Sequence, residues 1–127
     1  MASKVTKEYV ESFIRACAVG SPEHSDIQRD LSPYLSPLFV QERGGVKSNY
    51  LETVDHLSKV RDDIEALDVH MHDLVVNAKE RSMASRYTAT VRRKGGHLLA
   101  RWEVALFGEF NDEGRFVRIY EMVKEIV

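Results

Sequence analysis

Glu121 is the residue of this sequence whose surroundings most invite chemistry. It stands in GRFVRIYEMVKEIV, residues 114–127. Alternate side chains of an extended chain share a face, which groups Val117, Ile119, Glu121 and Val123 on one side and Phe116, Arg118, Tyr120 and Met122 on the other. One face is therefore apolar except for a single carboxylate. Such a charge is costly unless it is paired, neutralised or used. Desolvation disfavours the charged form of a carboxylate and moves its pKa up toward the range useful for general acid–base work. A cation such as Arg43 beside it would oppose that and hold it ionised. The bland alternatives are a buried ion pair, or an outward glutamate if the alternation is read one residue out.

His70 and His72 in VHMHDLV come next. Their spacing puts both on one face of a strand, with Val69, Met71 and Asp73 on the other. Two histidines so spaced bind Zn²⁺ only if a third ligand converges from another strand, and no spacing in the sequence fixes one. A metal is not expected. Two fates remain: a pocket-lining acid/base or hydrogen-bonding pair, or a pair on the surface or a dimer face. Tyr9, Tyr50, Tyr87 and Trp102 are candidates for lining a cavity, though aromatic residues are more often core, and a buried tyrosine hydroxyl needs a polar partner. Cys17 lies on an apolar helical stripe with Val5, Tyr9 and Phe13 and reads as a packed thiol. His24, His56 and His97 fall near a helix end, on an exposed helix face and in a hairpin, and receive no role. The sequence has no G-x-S-x-G, P-loop, G-x-G-x-x-G or C-x-x-C, so neither covalent serine catalysis nor a nucleotide cofactor is expected.

These residues must be positioned by a definite order of elements. Apolar residues recur at helical spacing over 4–19, and Gly20 followed by Ser21-Pro22 supplies a stop. SDIQRDL begins with Ser25 three residues before Gln28, a capping-box pattern, and predicts a short second helix ending before Pro33. SPLFVQERGG reads as a short extended segment closed by Gly44-Gly45. A third helix is expected from Asn49, with Glu52 three residues on, to about Ala66; Leu51, Val54, Leu57, Lys59, Val60 and Ile64 set its periodicity. LDVHMHDLVVNAK, RSMASRYTATVRRK, HLLARWEVALFGEF and RFVRIYEMVKEI then follow as four alternating segments joined by hairpin-length connections. Helices first and a long-stranded antiparallel meander afterwards predict an α+β fold, with the helices on one face of a strongly curved sheet. A curled sheet capped by helices encloses a pocket.

Composition narrows the classes. At 127 residues the chain reads as one domain, 1–127, with enough length for a proper core. A formal net charge of −2 gives no strong field favouring nucleic acid or an anionic membrane. The basic cluster Arg92-Arg93-Lys94 beside Gly95-Gly96 reads as a solvated hairpin end. No run approaches the ~20 apolar residues of a membrane span, and MASKVTKEYV lacks the apolar core of a signal peptide. A single cysteine fits a reducing compartment, and the cytoplasm is expected.

The order helix, short helix, short strand, long helix and meander resembles the SnoaL-like branch of the nuclear-transport-factor-2-like superfamily, a cone-shaped α+β barrel. The strongest local match is WEVALFGEFNDEGRFVRIYEMV: an apolar strand, a glycine-containing hairpin of F-x-x-x-G-R type, then a final strand with an acidic residue. YLSPLFVQERGG is similar to the segment after the second helix in the same families. The resemblance implies a cavity between the inner sheet face and the helices. It also implies cofactor-free isomerases, cyclases, dehydratases or epoxide hydrolases acting on small apolar natural products, beside modules that only bind ligands or dimerise.

By that resemblance Trp102, Val104 and Leu106 face inward with Val117, Ile119, Glu121 and Val123. Glu121 falls where the epoxide-hydrolase branch and some fungal isomerases place an acidic catalytic residue. Glu42 or Arg43 falls where several members hold a base or an anchoring cation, and a one-residue slip exchanges them. Leu106 falls near the position of the steroid isomerases' proton-donating Asp, a departure that argues against that chemistry. Limonene-type hydrolases use an Asp–Arg–Asp trio, of which only Glu121 has a clear counterpart; Arg101 and Glu103 have the opposite parity to Trp102. The implied site is thus Glu121 with Arg43 or Glu42, and His70 and His72 as further candidates. Trp102, Tyr9, Tyr50, Tyr87, Leu106 and Ile119 would line it. A homodimer through the outer sheet face, presenting Arg101, Glu103, Phe107, Arg118, Tyr120 and Met122, is the expected assembly.

Overall fold

Side-chain caps set the helix starts. In a computed structural model, which describes residues 4–19, 26–95 and 99–126, helix α1 spans Lys7–Ala18 and its N-cap Thr6 accepts the Tyr9 N–H. Helix α2, Ile27–Leu31, is capped by Asp26, whose carboxylate accepts from the Gln28 and Arg29 N–H groups. The expected stop at 20–22, the Ser25 cap, Gly96, His24 and His97 lie outside the described residues. Strands β1 (Leu35–Arg43) and β2 (Val46–Asn49) precede helix α3, Tyr50–Asp63. The expected capping box is present at α3: Asn49 accepts from the Glu52 N–H at 2.9 Å and Glu52 accepts from the Asn49 N–H at 3.1 Å.

Helix α3 stops three residues before Ala66, because Ile64 already pairs with Arg93 and opens strand β3. Strands β3 (Ile64–Asn77), β4 (Ser82–Arg93), β5 (Leu99–Phe110) and β6 (Phe116–Ile126) form the antiparallel meander. Strand β1 then lies parallel to β6, giving one mixed sheet in the order β2-β1-β6-β5-β4-β3. The sheet is open, with β2 and β3 at its edges. Gly44 and Gly45 act as a turn rather than as a stop. Both take positive φ, 56° and 82°, as a two-residue hairpin requires, and they return the chain as β2.

Irregularities in the ladders bear on which side chains face inward. In β6, Phe116 opposes Phe110 and Arg118 opposes Glu109, which leaves Val117 as an extra residue. The bulge turns Phe116 into the core, where it is fully buried, although strict alternation assigns it to the outer face. Val117 is correspondingly half-buried and off the cavity wall. Gly108 opposes Ile119 on the neighbouring strand, and a Cβ there would lie 2.7 Å from the Phe116 ring, so only glycine leaves room for that ring. In β3 the register shifts between Met71 and Asp73, leaving His72 unmatched.

The core lies between the helices and the inner sheet face, with Phe39, Phe116, Leu31 and Leu35 among its fully buried members. Arg61 of α3 donates to Asp30 of α2 at 2.9 Å and to the Ala16 carbonyl of α1, so one nearly buried guanidinium joins all three helices. At one end, Tyr9 meets Tyr34 edge-on at 5.1 Å, and its hydroxyl donates to the Gly114 carbonyl at 2.5 Å. Tyr9 therefore ties α1 to the β5–β6 turn and does not line the cavity, contrary to the sequence expectation. Among the described residues, no helix is long and apolar enough to cross a membrane.

The Tyr9 contact gives stability a pH dependence. Burial, and then the neighbouring Tyr34, push the Tyr9 phenol from 10.0 up to about 12. The unfolded chain releases this proton near pH 10.0 and the folded chain only near 12, so the stability it contributes is whole below 10.0 and falls as pH rises toward 12. Tyr9→Phe should make that alkaline fall shallower and should cost about 1 kcal/mol at neutral pH through the lost bond to Gly114. Urea unfolding across an alkaline pH series measures both; an unchanged slope would contradict the assignment.

Candidate functional site

The inner sheet face and the helices enclose a cavity of about 360 Å³. Its sheet wall is largely apolar, with Trp102, Val104 and Leu106 of β5, and Ile119 and Val123 of β6. Phe13 and Cys17 of α1 and Leu57 and Val60 of α3 close it from the helix side. Against this background stand Glu121 and Arg43. The parallel β1–β6 ladder places them directly opposite one another, both on the inner face. Arg43 Nη2 donates to Glu121 Oε1. Glu121 is 8% exposed, whereas the Arg43 side chain is 46% exposed, so the carboxylate sits inside and the guanidinium reaches toward solvent. A carboxylate so placed without its partner would carry a desolvation cost of several kcal/mol, on the order of what is seen when buried pairs are broken.

The carboxylate affects its neighbours. Burial, and then the negative charge of Glu121, push the Cys17 thiol up, so it stays a thiol rather than a thiolate. The same two influences hold the Tyr87 phenol well above its ordinary value. Tyr87 lines the cavity from β4 and is 6% exposed. Both groups therefore remain neutral beside the ion pair.

Of the residues singled out from the sequence, the fold brings Glu121, Arg43, Trp102, Tyr87, Leu106 and Ile119 to this cavity. It does not bring the others. Glu42 opposes Tyr120 and Lys47 across its two ladders and so belongs to the outer face; the parity of β1 selects Arg43. His70 opposes Thr88, and His72 two residues on shares that outer side, where its Nε2 lies 2.6 Å from Thr88 Oγ1. The two exposed rings meet edge-on at 4.7 Å, while Met71 takes the inner face. Tyr50 begins α3 and packs half-buried against the core, away from the cavity. Among the described residues, no group of three metal-ligating side chains forms.

Three further polar residues stand on the wall: Gln41 and Thr53, which no sequence pattern singled out, and His56, to which the sequence assigned no role. Gln41 shares a face with Arg43 two residues on. Thr53 precedes Leu57, Val60 and Ile64 at helical spacing and is the polar member of that stripe, with His56 one turn along. The stripe contains the signal, but the periodicity also includes Leu51, which is exposed in the fold. Thr53 is 2% exposed, and its hydroxyl has no hydrogen-bond partner among the described residues.

No protein-family model and no curated protein matches the sequence. Solved structures do match in fold. AusH of Aspergillus nidulans superposes with a TM-score of 0.72 at 13% identity, over 91% of this chain and 80% of that one. An epoxide hydrolase of M. tuberculosis, described as LEH-like, gives 0.67 at 18% identity over 91% and 79%. A protein of Jannaschia sp. CCS1 assigned as a SnoaL-like polyketide cyclase gives 0.68 at 12% identity over 98% and 90%. Helices on an open mixed sheet, a parallel β1–β6 pair and an inner cavity together define an architecture similar to that of these SnoaL-like and LEH-like proteins.

Proposed function

We propose that the chain is an acid–base enzyme, needing no cofactor, that acts on a small and largely apolar molecule inside the cavity. The observation that carries this is the single carboxylate of Glu121 at the wall of an otherwise apolar cavity, held in place by Arg43. A volume of about 360 Å³ exceeds the roughly 300 Å³ at which ligand sites begin. Glu121 takes a proton from the bound molecule and returns it at another atom, and low polarity around it strengthens each such interaction. Arg43 fixes the carboxylate's direction, and Gln41 beside it offers an amide for orientation. Isomerisation and cyclisation need only that proton movement; dehydration returns the proton to a leaving hydroxyl that departs as water, and epoxide hydrolysis takes it from an attacking water and returns it to the opened oxygen. Fold neighbours described as an epoxide hydrolase and a polyketide cyclase support this range, and natural-product metabolism is the setting it suggests. The free thiol of Cys17 fits a cytoplasmic location.

The test is direct. Purified protein is screened by mass spectrometry for a bound molecule, and turnover of the compound found is compared in wild type and Glu121→Gln. The variant should lose about 100-fold or more in kcat, the usual contribution of a positioned acid or base. Unchanged turnover would remove Glu121 from the mechanism.

A second reading, a ligand-binding or dimerising module, is favoured by the outer sheet face. Phe107, Tyr120 and Met122 stand 46%, 43% and 55% exposed there, more apolar surface than a solvated sheet face needs. We take this face to join two copies. Sedimentation should give twice the chain mass for wild type and the single mass for Met122→Lys; a monomeric wild type would contradict the pairing.

A further inference from the structure

The charge balance of the cavity restricts what can occupy it. Among the described residues, its wall carries one carboxylate and one guanidinium, Glu121 and Arg43, already bonded to each other. The one imidazole on that wall, His56, belongs to an exposed residue of α3. The remaining polar wall groups are neutral. An anionic ligand would place a second negative charge near Glu121 with the guanidinium already engaged, which is unfavourable in so apolar a space.

Tyr87, like Thr53, is a neutral wall group that this balance leaves unused. It is 6% exposed and lines the cavity, yet its hydroxyl makes no hydrogen bond among the described residues. That is unusual for a buried tyrosine, whose hydroxyl ordinarily finds a partner. Tyr9 in the same chain follows the ordinary pattern through its bond to Gly114. The ladders fix where Tyr87 stands. It opposes Val104, which opposes Val123, while Glu121 opposes Leu106. Tyr87 and Glu121 thus share the inner face two strands and two residues apart, or roughly 12 Å at the usual strand spacing and rise. A ring-sized molecule fits between them. Held as a neutral phenol by burial, Tyr87 can donate a hydrogen bond without adding charge.

We propose that Tyr87 is the donor that positions the ligand, its hydroxyl bonding to a carbonyl or ether oxygen of an uncharged, otherwise apolar molecule whose reacting proton faces Glu121. This rests on the acid–base reading of the same cavity. It adds two requirements: the ligand carries an acceptor oxygen, and it is not an anion.

The test uses three probes of one size, naphthalene, acetylnaphthalene and naphthoate, titrated by fluorescence into wild type, Tyr87→Phe and Glu121→Gln. Wild type should bind the ketone about 5–10-fold more tightly than naphthalene, the worth of one hydrogen bond, and more tightly than naphthoate. Tyr87→Phe should bring the ketone to the naphthalene level, leave naphthalene unchanged, and melt at or above the wild-type temperature. Glu121→Gln should keep the preference for the ketone. The proposal is overturned by a wild type without that preference, by a preference that survives in Tyr87→Phe, or by naphthoate binding as well as the ketone. A large fall in melting temperature for Tyr87→Phe also overturns it, since the hydroxyl would then be bonded within the protein. If Glu121→Gln loses turnover while Tyr87→Phe keeps the ketone preference, the Tyr87 assignment alone fails. If turnover survives in Glu121→Gln while the preference is lost in Tyr87→Phe, the acid–base reading alone fails.

Discussion

The bond from Arg43 to Glu121 is the constraint around which the site is built. It joins the two strands of the sheet that pair in parallel, and those strands lie far apart in sequence. A parallel ladder needs a long crossover, and here everything between β1 and β6 serves as one. The position of Glu121 therefore depends on the whole intervening chain. The Val117 bulge ends the core-facing run at Phe116 and resets the alternation so that Ile119 and Glu121 face inward. The turn at Gly44-Gly45 anchors the end of β1 through β2, keeping Arg43 in the ladder rather than in a loose tail. A one-residue slip in either strand would send one partner to the outer face and leave the other charge alone.

The helices complete the enclosure from the other side. Arg61 gathers α1, α2 and α3 through Asp30 and the Ala16 carbonyl, and both charged groups of that pair are nearly buried. A second ion pair thus fixes the roof while the first lies in the wall. The two pairs differ in exposure. Arg61 and Asp30 have side chains only 10% and 12% exposed, as befits a structural joint, whereas Arg43 is nearly half exposed. The guanidinium keeps one side in solvent, while the carboxylate it holds stays in the apolar interior. Neutral Cys17 and Tyr87 add no charge beside Glu121.

Much of this was legible in the sequence, for physical reasons that differ by element. The meander was visible because strands of this length repeat their alternation often enough to outweigh local exceptions. The α3 start was visible because a capping box is a local signature, complete within four residues. Glu121 stood out because one charge on an apolar face violates the pattern that surrounds it. What escaped depended on pairing. Nothing local in VKSN marks β2, a strand of four residues without alternation. The bulge at Val117 changes parity through a partner strand, so Phe116 faces inward, and only the pairing of β3 with β4 decides that the His70–His72 pair lies outside. The choice between Glu42 and Arg43 rested on a ladder to a strand nearly eighty residues away. Tyr9 was misplaced because the partner of its hydroxyl, the Gly114 carbonyl, is a backbone group that no side-chain pattern announces.

The central claim is that Arg43 neutralises a carboxylate that the apolar cavity could not otherwise hold. A double-mutant cycle on stability measures it, with Arg43→Met, Glu121→Leu and the pair of changes together followed by urea unfolding. Arg43→Met should be the most destabilising variant because it strands the charge. The double variant should recover most of that loss, with a coupling of about 1–2 kcal/mol for a pair open to solvent on one side. Independent, additive effects of the two substitutions would show that the bond does not hold the site together.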